Sequence, residues 1–122
     1  MKKVLDVGQC GTDHGVIRRL LEKHFAAEVS QADDADEALA QLRAAPFDLV
    51  LVNRKLDVDH SDGLQIIRAI KADPALATTP VMLVTNYPQF QEQAITAGAE
   101  PGFGKDQCHA AATRELLRKY LG

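Results

Sequence analysis

Short blocks that are apolar at nearly every position alternate along this chain with longer stretches whose apolar residues recur at helical spacing. Val4 to Val7 is the first block, interrupted by Asp6, and Gly8 to Gly11 forms a turn behind it. From Thr12 or Asp13, the residues Val16, Ile17, Leu20, Leu21 and Phe25 mark one face of a helix, with Arg18, Arg19, Glu22 and Lys23 between them. Glu28 to Ala32 reads as a weak second strand. Asp34, with Glu37 three residues on, has the form of a capping box opening a helix through Leu39, Leu42 and Ala45 that Pro46 stops. The block Phe47 to Val52 predicts a buried strand ending on Asn53, and a polar loop runs from there to Asp62-Gly63. Leu64, Ile66, Ile67 and Ile70 mark a third helix, closed by Asp73-Pro74. Val81 to Thr85 is the fourth strand, Pro88 to Ala97 a helix ended by Gly98, Pro101 to Gly104 a poor fifth strand, and Gln107 to Leu121 the last helix.

Strands apolar on both faces, alternating with amphipathic helices, imply an α/β fold with a parallel sheet covered on both sides. Ligand sites in such folds lie beyond the carboxyl ends of the strands, near the point where strand order reverses. Those ends carry Gly8 to Cys10, Asn53, Thr85 and Lys105.

Composition narrows the function classes. The 122 residues suit one domain, 1–122, with no linker leading to an output domain. A net charge of −3 does not suggest nucleic acid or an anionic membrane as a partner. Cys10 and Cys108 are too few and too far apart for a disulfide framework and fit a reducing cytoplasm. The Met1-Lys2-Lys3 start is followed by too few apolar residues for a signal peptide, and no stretch is long enough to span a bilayer.

The order and spacing of several short motifs point to one family. Phe47-Asp48-Leu49-Val50 opens the third strand, and Asp62-Gly63 closes the loop after it. Lys71-Ala72-Asp73-Pro74 leads to Pro80-Val81-Met82-Leu83-Val84-Thr85, and Ala97-Gly98-Ala99 precedes Lys105. In these features the chain resembles the receiver domains of bacterial two-component response regulators. The resemblance implies a flavodoxin-like (βα)5 three-layer sandwich, with a five-stranded parallel sheet in the order 2-1-3-4-5. It also implies a site where two acidic residues and an acceptor aspartate hold magnesium, while a lysine and a hydroxyl residue meet the phosphoryl oxygens.

The departures bear on function. Gly8 and Gln9 stand where the family has its acidic pair, and Asn53 stands at the acceptor position, whereas Thr85 and Lys105 are kept. An amide is a poor nucleophile, and neutral ligands hold magnesium weakly. The aromatic that switches conformation on strand five falls at Gly102, with Phe103 directed to the other face of the sheet. The loop from Arg54 to Ser61 exceeds the family norm, and Asp106-Gln107 follow Lys105 where the family has proline and an aromatic. Asp13, Asp57 and Asp59 are substitute carboxylates to weigh. Making Asp57 the acceptor, however, would put Asn53-Arg54-Lys55 inside a doubly covered strand.

Several of the remaining polar residues have more than one reading. Asp6 needs either a basic partner or a place near the sheet edge, because a buried charge is costly. Lys105 is either solvated, or bonded to backbone carbonyls and Asn53, or part of a residual anion site with the Thr85 hydroxyl. Cys10, His14, His60, Cys108 and His109 map to one end of the sheet, but their spacing matches no zinc pattern, and no metal or cofactor is expected. His24 reads as a surface residue. Gly8-Gln9-Cys10-Gly11 misses the dinucleotide-binding spacing, and no nucleophile stands beside an activating base, so an enzyme is not expected. The expectation is a stand-alone degenerate receiver that signals through protein partners, a histidine kinase or an effector. Family analogy places its interaction or homodimer surface on helix four, strand five and helix five, with Tyr87, Gln89, Phe90, Gln93, Phe103, Arg114, Arg118 and Tyr120. The alternative is a switch responding to a non-covalent anion or to another acceptor carboxylate.

Overall fold

The computed structural model describes residues 1–122. Five strands and five α-helices alternate: β1 (Lys3–Val7), α1 (Gly11–Phe25), β2 (Glu28–Ala32), α2 (Ala35–Ala44), β3 (Leu49–Asn53), α3 (Gly63–Ala72), β4 (Val81–Val84), α4 (Pro88–Thr96), β5 (Glu100–Phe103) and α5 (Ala111–Leu121). All pairings are parallel and the order is β2-β1-β3-β4-β5, as expected. The order reverses between β1 and β3, so the mouth of the fold opens where these two strands end.

Alternation along the strands divides the core. Leu5, Val7, Val50, Val52, Val81 and Leu83 face α2, α3 and α4, where Ala38, Leu42, Leu64, Ile67, Ile70 and Ala94 meet them. Val4, Leu49, Leu51, Met82, Val84 and Phe103 face α1 and α5 through Ile17, Leu20, Leu21, Leu117 and Leu121. Central β3 is buried along its whole length, which is why its sequence is apolar without alternation. β2 lies at an edge with Ser30 and Gln31 on it, hence its weak apolar signal.

Some boundaries differ from the expected ones. α1 starts at Gly11, because the Cys10 Sγ accepts a hydrogen bond from the Asp13 amide and caps the first turn. Phe47 and Asp48 precede β3 rather than open it. There the Asp48 carboxylate accepts from the Lys3 amide at 2.8 Å, and Phe47 lies under the Lys3 ammonium. Residues Lys105–Gln107 form a separate 3-10 turn, so α5 begins only at Ala111.

β5 occupies the other edge, where Pro101 has no ladder partner to lose. Its pairing with β4 shifts register between Met82 and Val84. Gln91 on α4 repairs the gap: its Nε2 donates to the Leu83 carbonyl at 2.8 Å, and its Oε1 accepts from the Gly102 amide at 3.0 Å. Replacing Gln91 with Ala strands both groups. We expect a loss of about 1–2 kcal/mol in unfolding free energy, within the usual range for orphaned half-buried polar groups. Urea denaturation of Gln91→Ala checks this, and an unchanged midpoint would refute the bridging role.

Candidate functional site

Four segments converge at the mouth: the turn after β1, the loop after β3, and the residues following β4 and following β5. Gly8 sits at φ +78, and a Cβ built on it would lie 2.2 Å from Leu56 Cδ2. Leu56 is fully buried, and its loop folds on itself through a Lys55–Asp62 bridge and the Leu56 amide bonded to the Ser61 carbonyl. The Gly8 carbonyl accepts from the Asp57 amide at 2.9 Å and from Asn53 Nδ2 at 3.1 Å. Gly63 allows the return of this loop, since a Cβ there would lie 2.0 Å from the Asn53 carbonyl oxygen. The extra loop length thus becomes a plug of apolar side chain and backbone bonds against β1.

Carboxylates lie to the side of this plug. Asp57 and Asp59 are exposed, with Asp59 turned onto the Ser61 amide and hydroxyl. Asp13, at the third position of α1, pairs with Lys105 at 2.9 Å, both side chains about one-third exposed. The Lys105 ammonium holds the Asp13 carboxyl below its ordinary range. The expected bond between Lys105 and Asn53 is therefore corrected: the lysine has a better, charged acceptor in Asp13, and Asn53 turns to Gly8. The Thr85 hydroxyl accepts from the Tyr87 amide at 3.3 Å.

Asp6 is buried within β1, between β2 and β3, and its Oδ2 lies 2.7 Å from His14 Nδ1. Of the two readings, the basic partner is present and the edge position is excluded. Burial pushes the Asp6 carboxyl up to about 6, against the opposing pull of His14. The neighbouring Gln9 amide also favours the ionised form, yet neither of its polar atoms makes a well-formed hydrogen bond, and Asp6 Oδ1 has no partner either. His14 is thereby the hydrogen-bond partner of Asp6, and no group of three or more His, Cys, Asp or Glu side chains is arranged to hold a metal ion.

The expected interaction surface is corrected in part. Phe103 is buried between the sheet and α5, since its position on β5 directs it inward. Tyr120 is half-buried against the same core, and Arg114 is half-buried with its guanidinium donating to the His109 carbonyl at 3.0 Å. Tyr87, Gln89, Gln93 and Arg118 are exposed, Arg118 paired with Glu115. Phe90 is divided between core and surface. One side packs on the apolar cluster under α4, while the Arg54 guanidinium lies 4.0 Å from the ring centroid and Tyr87 meets it edge-on at 6.0 Å. The Arg54–Phe90 stack was not legible, because the two residues are linked only by the way the loop after β3 approaches α4.

A family model for the response regulator receiver domain matches residues 13–117, nearly the whole α/β unit. The chain belongs to this family. Among curated relatives, chemotaxis protein CheY of Pseudomonas aeruginosa is 30% identical over 83 residues, covering 68% of this chain and 65% of that protein. The gliding motility regulatory protein of Myxococcus xanthus is 28% identical over 82 residues, but the matched stretch is 10% of its length. Chemotaxis protein CheY-3 of Vibrio cholerae is 27% identical over 119 residues, covering 96% of this chain and 89% of that one. The signal receiver domain of a DNA-binding response regulator from Colwellia psychrerythraea superposes with a TM-score of 0.82 at 21% identity, covering 98% of this chain and 97% of that one. These structural likenesses establish the flavodoxin-like fold. Receivers are signalling modules of two-component systems, and no helix of this one is long and apolar enough to cross a membrane.

The buried acid generates a pH dependence. Asp6 holds its proton more tightly folded than unfolded, with a carboxyl raised from an ordinary 3.8 to about 6. The native state therefore binds more protons within that window. Its contribution to stability is fully present below about pH 4 and is lost as pH rises towards 6. Asp6→Asn removes this dependence. Its stability relative to wild type should rise by up to roughly 3 kcal/mol between pH 4 and pH 7.5, from the size of the shift. Urea unfolding at both pH values measures the difference, and a difference independent of pH would contradict the assignment.

Proposed function

We propose that this receiver acts in signal transduction by binding protein partners, without phosphorylation of an aspartate. The observation that carries the reading is Leu56, whose methyl group fills the space in which a side chain at residue 8 would begin. By family correspondence Gly8 and Gln9 occupy the acidic-pair positions and Asn53 the acceptor position. All three are neutral, and two of them are bonded to each other through the Gly8 carbonyl. Magnesium needs hard anionic oxygens in near-octahedral array, and this mouth offers none at those positions. Without the metal, in-line phosphoryl transfer loses its charge neutralisation, and without a carboxylate it loses its nucleophile. Thr85 and Lys105 remain as parts of the pocket without the reaction they serve elsewhere in the family.

The partner is a protein, a histidine kinase or an effector, and the site of contact is the exposed part of the α4–β5–α5 side. Tyr87 is 59% exposed and Ile95 on α4 is 45% exposed, which makes them the main apolar elements of that side. A homodimer through the same surface is compatible with it. In this reading the domain works in the cytoplasm without enzymatic activity or a cofactor.

The decisive measurement adds beryllofluoride and magnesium to the labelled protein. Amide spectra should stay unchanged, and acetyl phosphate with magnesium should produce no mass gain of a phosphoryl group. Asn53→Asp alone should restore neither response, since the side chain of Leu56 still fills the neighbouring ligand position. A stable phosphoryl adduct on wild type would refute the reading.

A further inference from the structure

Charge is divided unevenly between the two helical layers. Helices α1 and α5, which cover one face of the sheet, carry six lysine and arginine residues against three carboxylates. Each of those carboxylates is already paired: Asp13 with Lys105, Glu22 with Arg18, and Glu115 with Arg118. Arg19, Lys23, Arg114 and Lys119 are left without an ion-pair partner. On a chain of net charge −3 this layer is a local reversal of sign. The two helices also meet at their ends. A Cβ built on Gly122 would lie 3.2 Å from Arg118 Cγ and 3.6 Å from Phe25 Cδ1, which sets the end of α5 against the end of α1. Next to Phe25, His24 is exposed, and the charges that act on it belong to Arg114, Lys23, His109 and Arg118, with no carboxylate among them. Local desolvation and these cations hold its imidazole below the ordinary range. Arg19 lies one turn before Lys23, and both are exposed. The seam between α1 and α5 is therefore a basic ridge.

The same chain carries the complement of this ridge. Residues 28–42 hold five carboxylates, Glu28, Asp33, Asp34, Asp36 and Glu37, and no lysine, arginine or histidine. None of the five forms an ion pair. Asp34 and Glu37 are occupied in capping α2, accepting from the Glu37 amide at 2.9 Å and the Asp33 amide at 2.8 Å. Glu28, Asp33 and Asp36 are exposed. The strip runs along β2, which has no strand on its outer side, and onto the start of α2 in the opposite helical layer. No ion pair joins it to α1 or α5 within one chain. Each surface is left with charge of one sign and no partner of its own.

We propose that the basic α1–α5 ridge docks the acidic β2–α2 strip of a second copy of this chain. The two surfaces differ, so the contact is heterologous and passes from copy to copy instead of closing about a two-fold axis. Exposed ion pairs are individually weak and screened by salt, so the association is weak and depends on ionic strength. Neither surface includes α4, and each copy in such a row keeps Tyr87 and Ile95 exposed. A partner with several binding sites would therefore hold a row more tightly than a single domain. The inference is independent of whether the mouth is phosphorylated.

Sedimentation equilibrium of the full chain tests this at about 20 mM and about 500 mM sodium chloride. The wild type should self-associate at the lower salt, and its affinity should fall by about tenfold or more at the higher. Two variants each reverse one surface: Arg19→Glu with Lys23→Glu on the ridge, and Asp33→Lys with Asp36→Lys on the strip. All four residues are exposed, so both variants should keep the wild-type circular dichroism spectrum. Each alone should be monomeric where the wild type associates. An equimolar mixture should associate again, because each variant complements the other, an outcome that loss of folding could not mimic. The proposal is overturned if the wild type stays monomeric at the lower salt or associates equally at both. It is equally overturned if either variant alone still associates, as a symmetric dimer through α4 would, or if the mixture stays monomeric.

Discussion

Leu56 reaches back from the loop after β3 and packs on the bare backbone of Gly8, with no room between them for another atom. That contact fixes most of what happens at the mouth of the fold. It requires a glycine at φ +78 after β1, and it draws the loop inward far enough for the Asp57 amide to reach the Gly8 carbonyl. With that carbonyl facing β3, the Asn53 amide has an acceptor at hand and is held in place. Each of these features depends on the others. A carboxylate at residue 8 would displace Leu56, and an aspartate at residue 53 would face the Gly8 carbonyl with no proton to donate. The departures from the family pattern are therefore parts of one repacked unit, not independent losses.

The charge of the mouth is rearranged as well as reduced. Negative charge has moved towards the α1 side, to Asp6 beneath the helix and Asp13 in its first turn, each with its own basic partner. Positive charge accumulates on the β3–β4 side through Arg54 and Lys55. Lys105 lies at the boundary between the two and is held by Asp13. A cation entering this region would meet ammonium and guanidinium groups first. An anion would meet donors, with a single carboxylate competing for one of them. The site has the polarity opposite to that of a magnesium centre.

Much of the fold was legible because burial dictates it. β3 and β4 lie in the doubly covered interior and are apolar up to the Asn53 that ends β3, so their sequences identify them without alternation. β2 and β5 are edge strands, half-exposed and holding Ser30, Gln31 and Pro101, and they carry correspondingly weak signals. The neutral residues at 8, 9 and 53 were legible from their place at strand ends. Their partners were not, because a loop's path is set by contacts distant in sequence. Nothing in the order Asn53-Arg54-Lys55-Leu56 says that Leu56 turns inward while Arg54 turns towards Phe90. Asp6 was legible as an anomaly, and its resolution needed the helical turn that brings His14 over β1. Phe103 was placed correctly by strand alternation as facing away from Gly102, but that same alternation puts it in the core and not on the surface.

The element that would couple mouth to surface has also changed character. The resemblance places a movable aromatic at residue 102, where this chain has glycine. A Cβ there would lie 2.3 Å from the Leu83 carbonyl oxygen and 3.1 Å from Gln91 Oε1, so no larger side chain enters without displacing the bridge between β4 and β5. Gln91 therefore fills that space as a fixed hydrogen-bonded link between the strands. Contact between the mouth and α4 runs instead through Arg54, which lines the cavity beside Asn53 and has its guanidinium group over the Phe90 ring. Phe90 in turn meets Tyr87, the most exposed aromatic of that side. This path of packed groups is short and has a charge at its inner end. A partner seated on Tyr87 would act on this ring and, through it, on Arg54, which gives the mouth a physical connection to the surface.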